Sequence, residues 1–220
     1  MPDIRKNIEA IRATLPNRVT LIAVSKYHPI ESIEEAYSVG QRDFGESKAQ
    51  DLRIKQQSLP KDIKWHFIGH LQSNKIKYIA SFIHLIHSID SLRLLQEVDR
   101  HAEKNQRVIS CLLQIHIAEE ESKFGFSPEE CLNMLEEGEW RNLKHIQIRG
   151  LMCMASNTNN AIQIKEEFLS VKRLFDIIKD KYFCNEESFD TFSAGMSDDY
   201  PIAIEAGSTH IRVGSGIFAK

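Results

Sequence analysis

The chain has 220 residues, a length that suits one large α/β domain or two small ones. Its hydrophobic fraction of 42% and charged fraction of 27% are typical of a soluble globular protein. A net charge of -3 excludes the global basic field that would attract nucleic acid or an anionic membrane surface.

The N-terminal half alternates between helix-like and strand-like segments. Isoleucines at helical spacing predict an amphipathic helix over residues 3–15. Apolar runs bounded by turn residues predict strands at 19–25, 43–46, 64–69 and 84–90. Helices are predicted between these strands, over 30–39 with Gly40 as the stop signal, from 47 to about 59, and from a capping Ser73.

The C-terminal half continues the same alternation. Strands are predicted at 108–117, 146–155, 191–194 and 210–213. Helices are predicted from Ser91, from Ser127 with Pro128 in the first turn, over 160–181, and near Asp199. The polar segment 118–127 is predicted to be a mobile loop.

Eight strands alternating with helices predict the α/β class and a single (β/α)8 barrel of the TIM type. Residues 3–15 would be an extra N-terminal helix. An open doubly wound sheet is the alternative. Because no linker or composition break divides the chain, residues 1–220 are predicted to form one domain.

Lys26 is the first candidate functional residue. It follows the buried strand Val19-Thr-Leu-Ile-Ala-Val-Ser25, and α/β folds place their chemistry at the carboxyl ends of strands. There we expect a partly desolvated amine, which can attack a carbonyl group and form a Schiff base. A lysine that simply extends into water is the alternative.

Two Gly/Ser-rich turns follow the seventh and eighth strands and predict a phosphate site. Backbone N–H groups at such turns can bind a dianion, and we expect Ser197, Gly214 and Ser215 to contribute. Asp198 and Asp199 would repel a phosphate, so we expect them to face outward and cap the following helix. Ordinary turns are the alternative.

Arg212 lies in the eighth strand, which a barrel places beside the first. Lys26 and Arg212 could then face one cavity. A carbonyl-reactive lysine, a phosphate site and a guanidinium suit pyridoxal 5′-phosphate, with Arg212 at the pyridine nitrogen. The alternative for Arg212 is an ion pair with a carboxylate such as Glu205.

Motifs along nearly the whole chain resemble those of the pyridoxal phosphate homeostasis proteins (the YggS/PROSC-type family), relatives of the alanine racemase barrel domain. The segments are Leu21-Ile-Ala-Val-Ser-Lys26, Phe44-Gly-Glu46, Trp65-His-Phe-Ile-Gly69, Leu71-Gln-Ser-Asn-Lys75, Gly150-Leu-Met-Cys-Met-Ala155, Gly195-Met-Ser197 and Gly207-Ser-Thr-His-Ile-Arg-Val-Gly214. The chain departs from the family pattern at Ser47, His70 and Ala219. We expect Ser47 to weaken a polar contact near the cofactor, and His70 to be a solvated loop residue.

The resemblance implies a type III pyridoxal phosphate fold with the cofactor on Lys26 and no established turnover. The chain would carry or buffer the cofactor, with pyridoxal phosphate-dependent apo-enzymes as candidate recipients. A racemase-like enzyme acting on amino acids is the alternative. It would need a second acid/base, and neither Tyr27, expected on the opposite face of the first strand from Lys26, nor Tyr200 suits that role. A protein-interaction module that senses the cofactor is a third possibility.

The remaining titratable residues predict no metal site. Four cysteines without a CxxC pair indicate reduced thiols, buried at Cys111 and Cys153, and therefore a cytoplasmic protein. No apolar run is long enough to cross a membrane. His66 is expected to be a hydrogen-bonded core residue, and His84 and His87, three apart on a strand, to face opposite sides. The absence of a second domain after Lys220 favours a monomer.

Overall fold

The computed structural model describes residues 3–117 and 124–219. The strands in these residues are β1 (Thr20–Val24), β2 (Asp43–Glu46), β3 (Lys64–Phe67), β4 (Leu85–Ile89), β5 (Ile109–Ile115), β6 (Ile146–Cys153), β7 (Thr191–Ser193) and β8 (His210–Val213). All neighbouring strands pair in parallel, and β8 pairs with β1, so the sheet closes into a barrel. The predicted (β/α)8 barrel is confirmed, and the open sheet is wrong.

Helices connect the strands on the outside of the barrel. They are α1 (Ile4–Thr14), α2 (Ile30–Ser38), α3 (Ala49–Ser58), α4 (Leu92–Lys104), α5 (Pro128–Glu137), α6 (Ala161–Tyr182), α7 (Tyr200–Glu205) and α8 (Ser215–Phe218), with 3-10 segments at Ser73–Tyr78 and Glu139–Asn142. The helix predicted from Ser73 is therefore a 3-10 segment, and its capping position is Gln72. The short helix α8 was not predicted. Residues 118–123 of the predicted mobile loop lie outside the described residues.

Local capping contacts explain where two helices begin. The Asp3 side chain accepts a hydrogen bond from the Lys6 N–H group and starts α1, the predicted leading helix. At α5, Ser127 and Glu130 form a reciprocal capping box, and Pro128 occupies the first turn, as the sequence predicted. Each contact satisfies backbone donors that a helix start leaves without partners.

The strands alternate between a large apolar layer under the helices and the barrel interior. On β3 and β8, Trp65, Phe67, Ile211 and Val213 belong to the apolar layer. The residues between them, His66 and Arg212, hydrogen-bond to side chains from other strands. A smaller apolar cluster of Leu85, Leu112 and Met152, with Met154 packed against it, lies apart from the main layer.

Barrel closure positions the functional region. Ile22 of β1 is in register with Arg212 of β8, so the chain following β1 lies beside the chain following β8. The predicted juxtaposition of these two strands is confirmed. Next to β8 in the barrel, β7 pairs with β6, and these two strands approach closely at Gly150, where an added Cβ would come 1.8 Å from the Thr191 carbonyl oxygen. Only glycine fits that position.

Candidate functional site

A cavity of about 380 Å³ opens where the strands end. All five residues predicted from the sequence line it: Lys26, Ser197, Arg212, Gly214 and Ser215. The other lining residues are Val24, Ser47, Ile68, Gly69, Met154, Met196 and Asp198. An amine, a guanidinium, three serine hydroxyl groups and the Asp198 carboxylate therefore share one cavity with largely apolar walls.

Lys26 lies two residues beyond the end of β1 and is exposed. The expectation of a partly desolvated amine is therefore wrong. The lysine occupies a turn in which the His28 N–H group donates to the Ser25 carbonyl at 3.1 Å. Tyr27, the third residue of this turn, has a φ of 68° and is 76% exposed, so it does not lie on a strand face as expected.

A buried ion pair contacts Ser25, the first residue of this turn. Lys55 Nζ donates to Glu46 Oε1 at 2.7 Å and to the Ser25 carbonyl at 2.9 Å. The Ser25 hydroxyl also donates to Glu46 Oε1, at 2.6 Å. Glu46 is 1% exposed and Lys55 is 9% exposed. The three groups thus fix the residue that immediately precedes Lys26.

Sequence analysis missed Lys55, which belongs to the polar helix α3. Nothing in its local pattern separates it from the exposed lysines around it. Glu46, the acidic residue at the end of β2, was the available signal for Lys55, because a buried carboxylate needs a partner.

The two Gly/Ser-rich turns are joined by one side chain. Ser197 Oγ accepts hydrogen bonds from the Gly214 N–H group at 3.2 Å and from the Gly216 N–H group at 3.3 Å. The turn that follows β7 is thereby tied to the turn that follows β8. The Ser197 and Ser215 side chains, one from each turn, both line the cavity.

The two aspartates of this region behave differently from each other. Asp198 is exposed and lines the cavity. Asp199 is buried, and its carboxylate accepts from the Met196 N–H group behind it. Burial raises the Asp199 pKa, although that hydrogen bond opposes the shift. The expectation that both aspartates face outward and cap α7 is wrong, since Asp199 holds the preceding turn instead.

Arg212 is 4% exposed and reaches the cavity from the barrel interior. Its Nη1 donates to Ser193 Oγ at 2.6 Å, and its Nη2 donates to the Cys153 carbonyl at 2.9 Å. Burial lowers the pKa of the Arg212 guanidinium from its usual value. The alternative ion pair with Glu205 is wrong, because Glu205 pairs with Lys165 at 2.9 Å.

The barrel interior next to this site contains several histidines. His66 is buried and hydrogen-bonds to His87 and Asp43, as expected of a core histidine. His84 and His87 do not face opposite sides: both ring centroids lie within 5.3 Å of the His66 centroid. His84 precedes β4, so strand alternation does not apply to it.

The three departures from the family pattern have different surroundings. Ser47 lines the cavity, and a Cβ at Gly69 would come 2.6 Å from the Ser47 carbonyl oxygen. His70 is an exposed loop residue, as expected, and its ring also contacts Asp90 at 3.3 Å and stacks on Phe124 with ring centroids 3.6 Å apart. Ala219 only ends α8.

Comparison with known proteins gives the family. The model of the alanine racemase N-terminal domain matches residues 1–220. A pyridoxal phosphate homeostasis protein of Helicobacter pylori is 37% identical, and the match covers 100% of both chains. The chain belongs to the pyridoxal phosphate homeostasis protein family. The resemblance noted in the sequence is thereby confirmed.

Solved structures agree with this family assignment. PipY of Synechococcus elongatus, solved without pyridoxal phosphate, has a TM-score of 0.91 and 35% identity over 98% of this chain and 100% of its own. The same protein with pyridoxal phosphate bound has a TM-score of 0.89. An alanine racemase of Clostridium difficile shares only the fold, at 14% identity and a TM-score of 0.76. The similar curated relatives are named as homeostasis proteins rather than as enzymes.

Between residues 3 and 117 and between 124 and 219, no helix has the length and apolar character that crossing a membrane requires. The same residues contain no group of histidine, cysteine and acidic side chains arranged to hold a metal ion.

Proposed function

We propose that this homeostasis-family protein binds pyridoxal 5′-phosphate in the cavity as a Schiff base on Lys26 and carries or buffers it without catalytic turnover. One observation carries the proposal: Lys26, Arg212 and the Ser197–Gly214–Ser215 wall line the same cavity. The related PipY structure with pyridoxal phosphate bound supports the choice of ligand.

The residues of the cavity suit the chemistry of this ligand. A primary amine suits an aldehyde, and hydroxyl and backbone donors at paired turns suit a phosphate. Val24, Ile68, Met154 and Met196 supply apolar walls for a flat ring. The volume of about 380 Å³ falls within the usual range for small-molecule sites, about 300–1,000 Å³.

Each residue would then have a separate task. The Lys26 amine replaces the aldehyde oxygen, which leaves as water. Arg212 donates to the ring nitrogen and, because a guanidinium stays protonated, gives it no proton. When bound, the cofactor supplies an electron sink, and an unprotonated ring nitrogen keeps that sink weak. Retention of the cofactor therefore suits this site better than carbanion chemistry.

The surroundings of the two nearby tyrosines also favour a carrier. Racemisation needs a second acid/base close to the lysine. Tyr27 is exposed on its turn, and Tyr200 packs against the apolar layer at the start of α7. Neither residue lines the cavity.

We further propose that residues 1–220 act as one domain and as a cytoplasmic monomer that supplies pyridoxal phosphate-dependent apo-enzymes. All four cysteines are free and three of them are buried, which suits a reducing compartment. Size-exclusion chromatography with light scattering tests the monomer, and a larger mass would contradict it. Cofactor transfer to a purified apo-enzyme tests the supply role. Failure to reactivate it beyond the rate of spontaneous cofactor release would contradict that role.

Borohydride reduction tests the covalent site. After reduction of the cofactor-loaded protein, mass spectrometry should place the added mass on Lys26. A Lys26→Ala variant should lose the Schiff-base absorbance. Lys48→Ala is the matched control, because Lys48 Nζ lies 5.2 Å from the Tyr27 ring at the same rim but does not line the cavity. Labelling of another lysine would contradict the site, and robust racemase or transaminase turnover would contradict the carrier.

An Arg212→Glu variant tests the ring contact. We expect cofactor affinity to fall by about tenfold or more, because a charge-assisted hydrogen bond is lost and a carboxylate replaces its donor. Equilibrium dialysis of the free cofactor measures the change. Unchanged affinity would remove Arg212 from the site.

A further inference from the structure

Five side chains form one continuous hydrogen-bonded chain through the barrel interior. Asp43 Oδ1 contacts His66 Nε2 at 3.1 Å, and His66 Nδ1 contacts His87 Nε2 at 2.9 Å. His87 Nδ1 contacts Ser193 Oγ at 3.0 Å, and Ser193 Oγ accepts from Arg212 Nη1 at 2.6 Å. The chain begins with the first residue of β2 and ends at the cavity.

The carboxylate end and the neutrality of both imidazoles set the direction of every proton. A carboxylate only accepts, so His66 donates to Asp43 through Nε2. A neutral His66 then has a bare Nδ1, which accepts from His87 Nε2. A neutral His87 likewise has a bare Nδ1, which accepts from the Ser193 hydroxyl, while Ser193 Oγ accepts from Arg212. Each imidazole therefore carries its single proton on Nε2.

The surroundings keep both imidazoles neutral. Burial lowers the pKa of His66 despite the opposing hydrogen bond to Asp43. Burial also lowers the His87 pKa well below 6.5, with help from the other histidines and from Arg212. The charged and titratable groups that face the two rings from the surrounding elements are Asp43 of β2, Lys64 of β3, His84 before β4, and His210 and Arg212 of β8.

We propose that Asp43, His66, His87 and Ser193 form a positioning relay that orients the Arg212 guanidinium at the cavity. The relay rests on the proposed function only in that Arg212 is taken to meet the cofactor ring. A protonated imidazole would break it, because His66 Nδ1 and His87 Nδ1 must both accept. The relay also explains why polar side chains lie in this part of the barrel interior. Leu85, Leu112 and Met152 form a separate apolar cluster.

The tautomers can be tested in the cofactor-free protein. Nitrogen-15 NMR of labelled histidines should show His66 and His87 as neutral Nε2–H forms from pH 8 to pH 6. A proton on Nδ1 of either ring, or an imidazolium in this range, would overturn the direction of the relay. This measurement does not depend on the cofactor, so it separates the relay from the proposed function.

Ser193→Ala breaks the relay at one atom and leaves the histidines in place. In the apo protein, the Arg212 Nη signals should show faster rotation about the Cζ–Nε bond, and the His66 Nε2–H resonance should shift although it lies two links away. An unchanged His66 signal would show that the chain is not continuous. For the cofactor, affinity should fall about tenfold, since a hydrogen bond to a charged group is lost.

Ser88→Ala is the matched control. Ser88 is also a buried serine, on β4, and its hydroxyl has no hydrogen-bond partner among the described residues. Ser88→Ala should leave the Arg212 signals and the cofactor affinity unchanged, whereas Ser193→Thr should restore both toward wild type. Equal affinities of Ser193→Ala and Ser88→Ala would overturn the positioning role. If the wild-type protein bound no cofactor, the proposed function would fail while the apo signals still decided the relay.

Discussion

At the scale of single residues, the placement of Lys26 depends on a neighbour that does not reach the cavity. Ser25 is held at three atoms: its N–H group donates to the Gly45 carbonyl, its carbonyl accepts from Lys55, and its hydroxyl donates to Glu46. Lys26 itself is exposed, so burial does not fix its side chain. The atoms that are fixed belong to Ser25, the residue before Lys26, and the Lys26 side chain extends from the backbone that they hold.

Removing the Lys55 ammonium should therefore be costly. A Lys55→Met variant leaves the Glu46 carboxylate buried without its ionic partner, and we expect the free energy of unfolding to fall by about 3 kcal/mol. Urea denaturation at pH 7 measures this change. Lys61→Met is the control, because Lys61 Nζ forms only an exposed bond to the Gln56 carbonyl. A loss below about 1 kcal/mol would show that the pair does not hold this region together.

At the scale of elements, the turn that carries Lys26 has an unfavourable backbone. A turn with positive φ at its third residue normally has glycine there, but this chain has Tyr27 at 68°. A bulky residue in the left-handed region costs about 1–2 kcal/mol. The contacts of Ser25 supply the constraint that keeps the turn in this conformation.

Exchanges at Tyr27 should reveal this cost. We expect Tyr27→Gly to be more stable than Tyr27→Ala by about 1 kcal/mol, the reverse of the order at ordinary sites, because only alanine keeps the Cβ penalty. Both variants lose the same exposed ring, so the comparison isolates the backbone. Thermal and urea denaturation measure the difference. Alanine equal to or better than glycine would contradict the strained turn.

At the scale of the whole molecule, the barrel interior contains histidines whose pKa values favour the neutral form. Burial lowers the pKa values of His66 and His87, and it lowers the pKa of His210 to about 3. Unfolding returns each imidazole to a pKa near 6.5. The unfolded chain therefore binds more protons than the folded chain below that pH.

As pH falls, proton uptake by these histidines on unfolding should destabilise the protein at a higher pH than protonation of its carboxylates would. With folded pKa values below unfolded ones, stability is full above about pH 6.5 and is lost as pH falls below it. Each histidine that stays neutral in the fold removes about 1.4 kcal/mol at pH 5.5. Urea denaturation from pH 7.5 to 5.5, with proton uptake on unfolding, measures the effect. A flat profile would show that these histidines bind protons equally in the folded and unfolded chains, and would contradict the lowered pKa values.

Much of the architecture follows from local pattern. Strand and helix periodicity, the helix start at Ser127 and Pro128, and the alternation of elements predict the barrel, because each depends on residues close in sequence. The strand ends also predict Lys26, Ser197, Arg212, Gly214 and Ser215 as one group, since parallel strands end on the same face.

The sequence by itself determined the barrel and five of the residues that line its cavity, through periodicities of two and 3.6 residues and the order of the strands. Only the tertiary structure decided how those residues are held in place. Examples are the hydrogen bond from Lys55 to Ser25, the Asp199 carboxylate that holds the preceding turn instead of capping α7, and the hydrogen-bonded chain of side chains from Asp43 to Arg212. Apart from the Asp199–Met196 bond within one turn, those contacts join residues from 19 to 106 positions apart. Their partners depend on how the closed barrel brings strand faces together, and short-range pattern carries no record of that geometry.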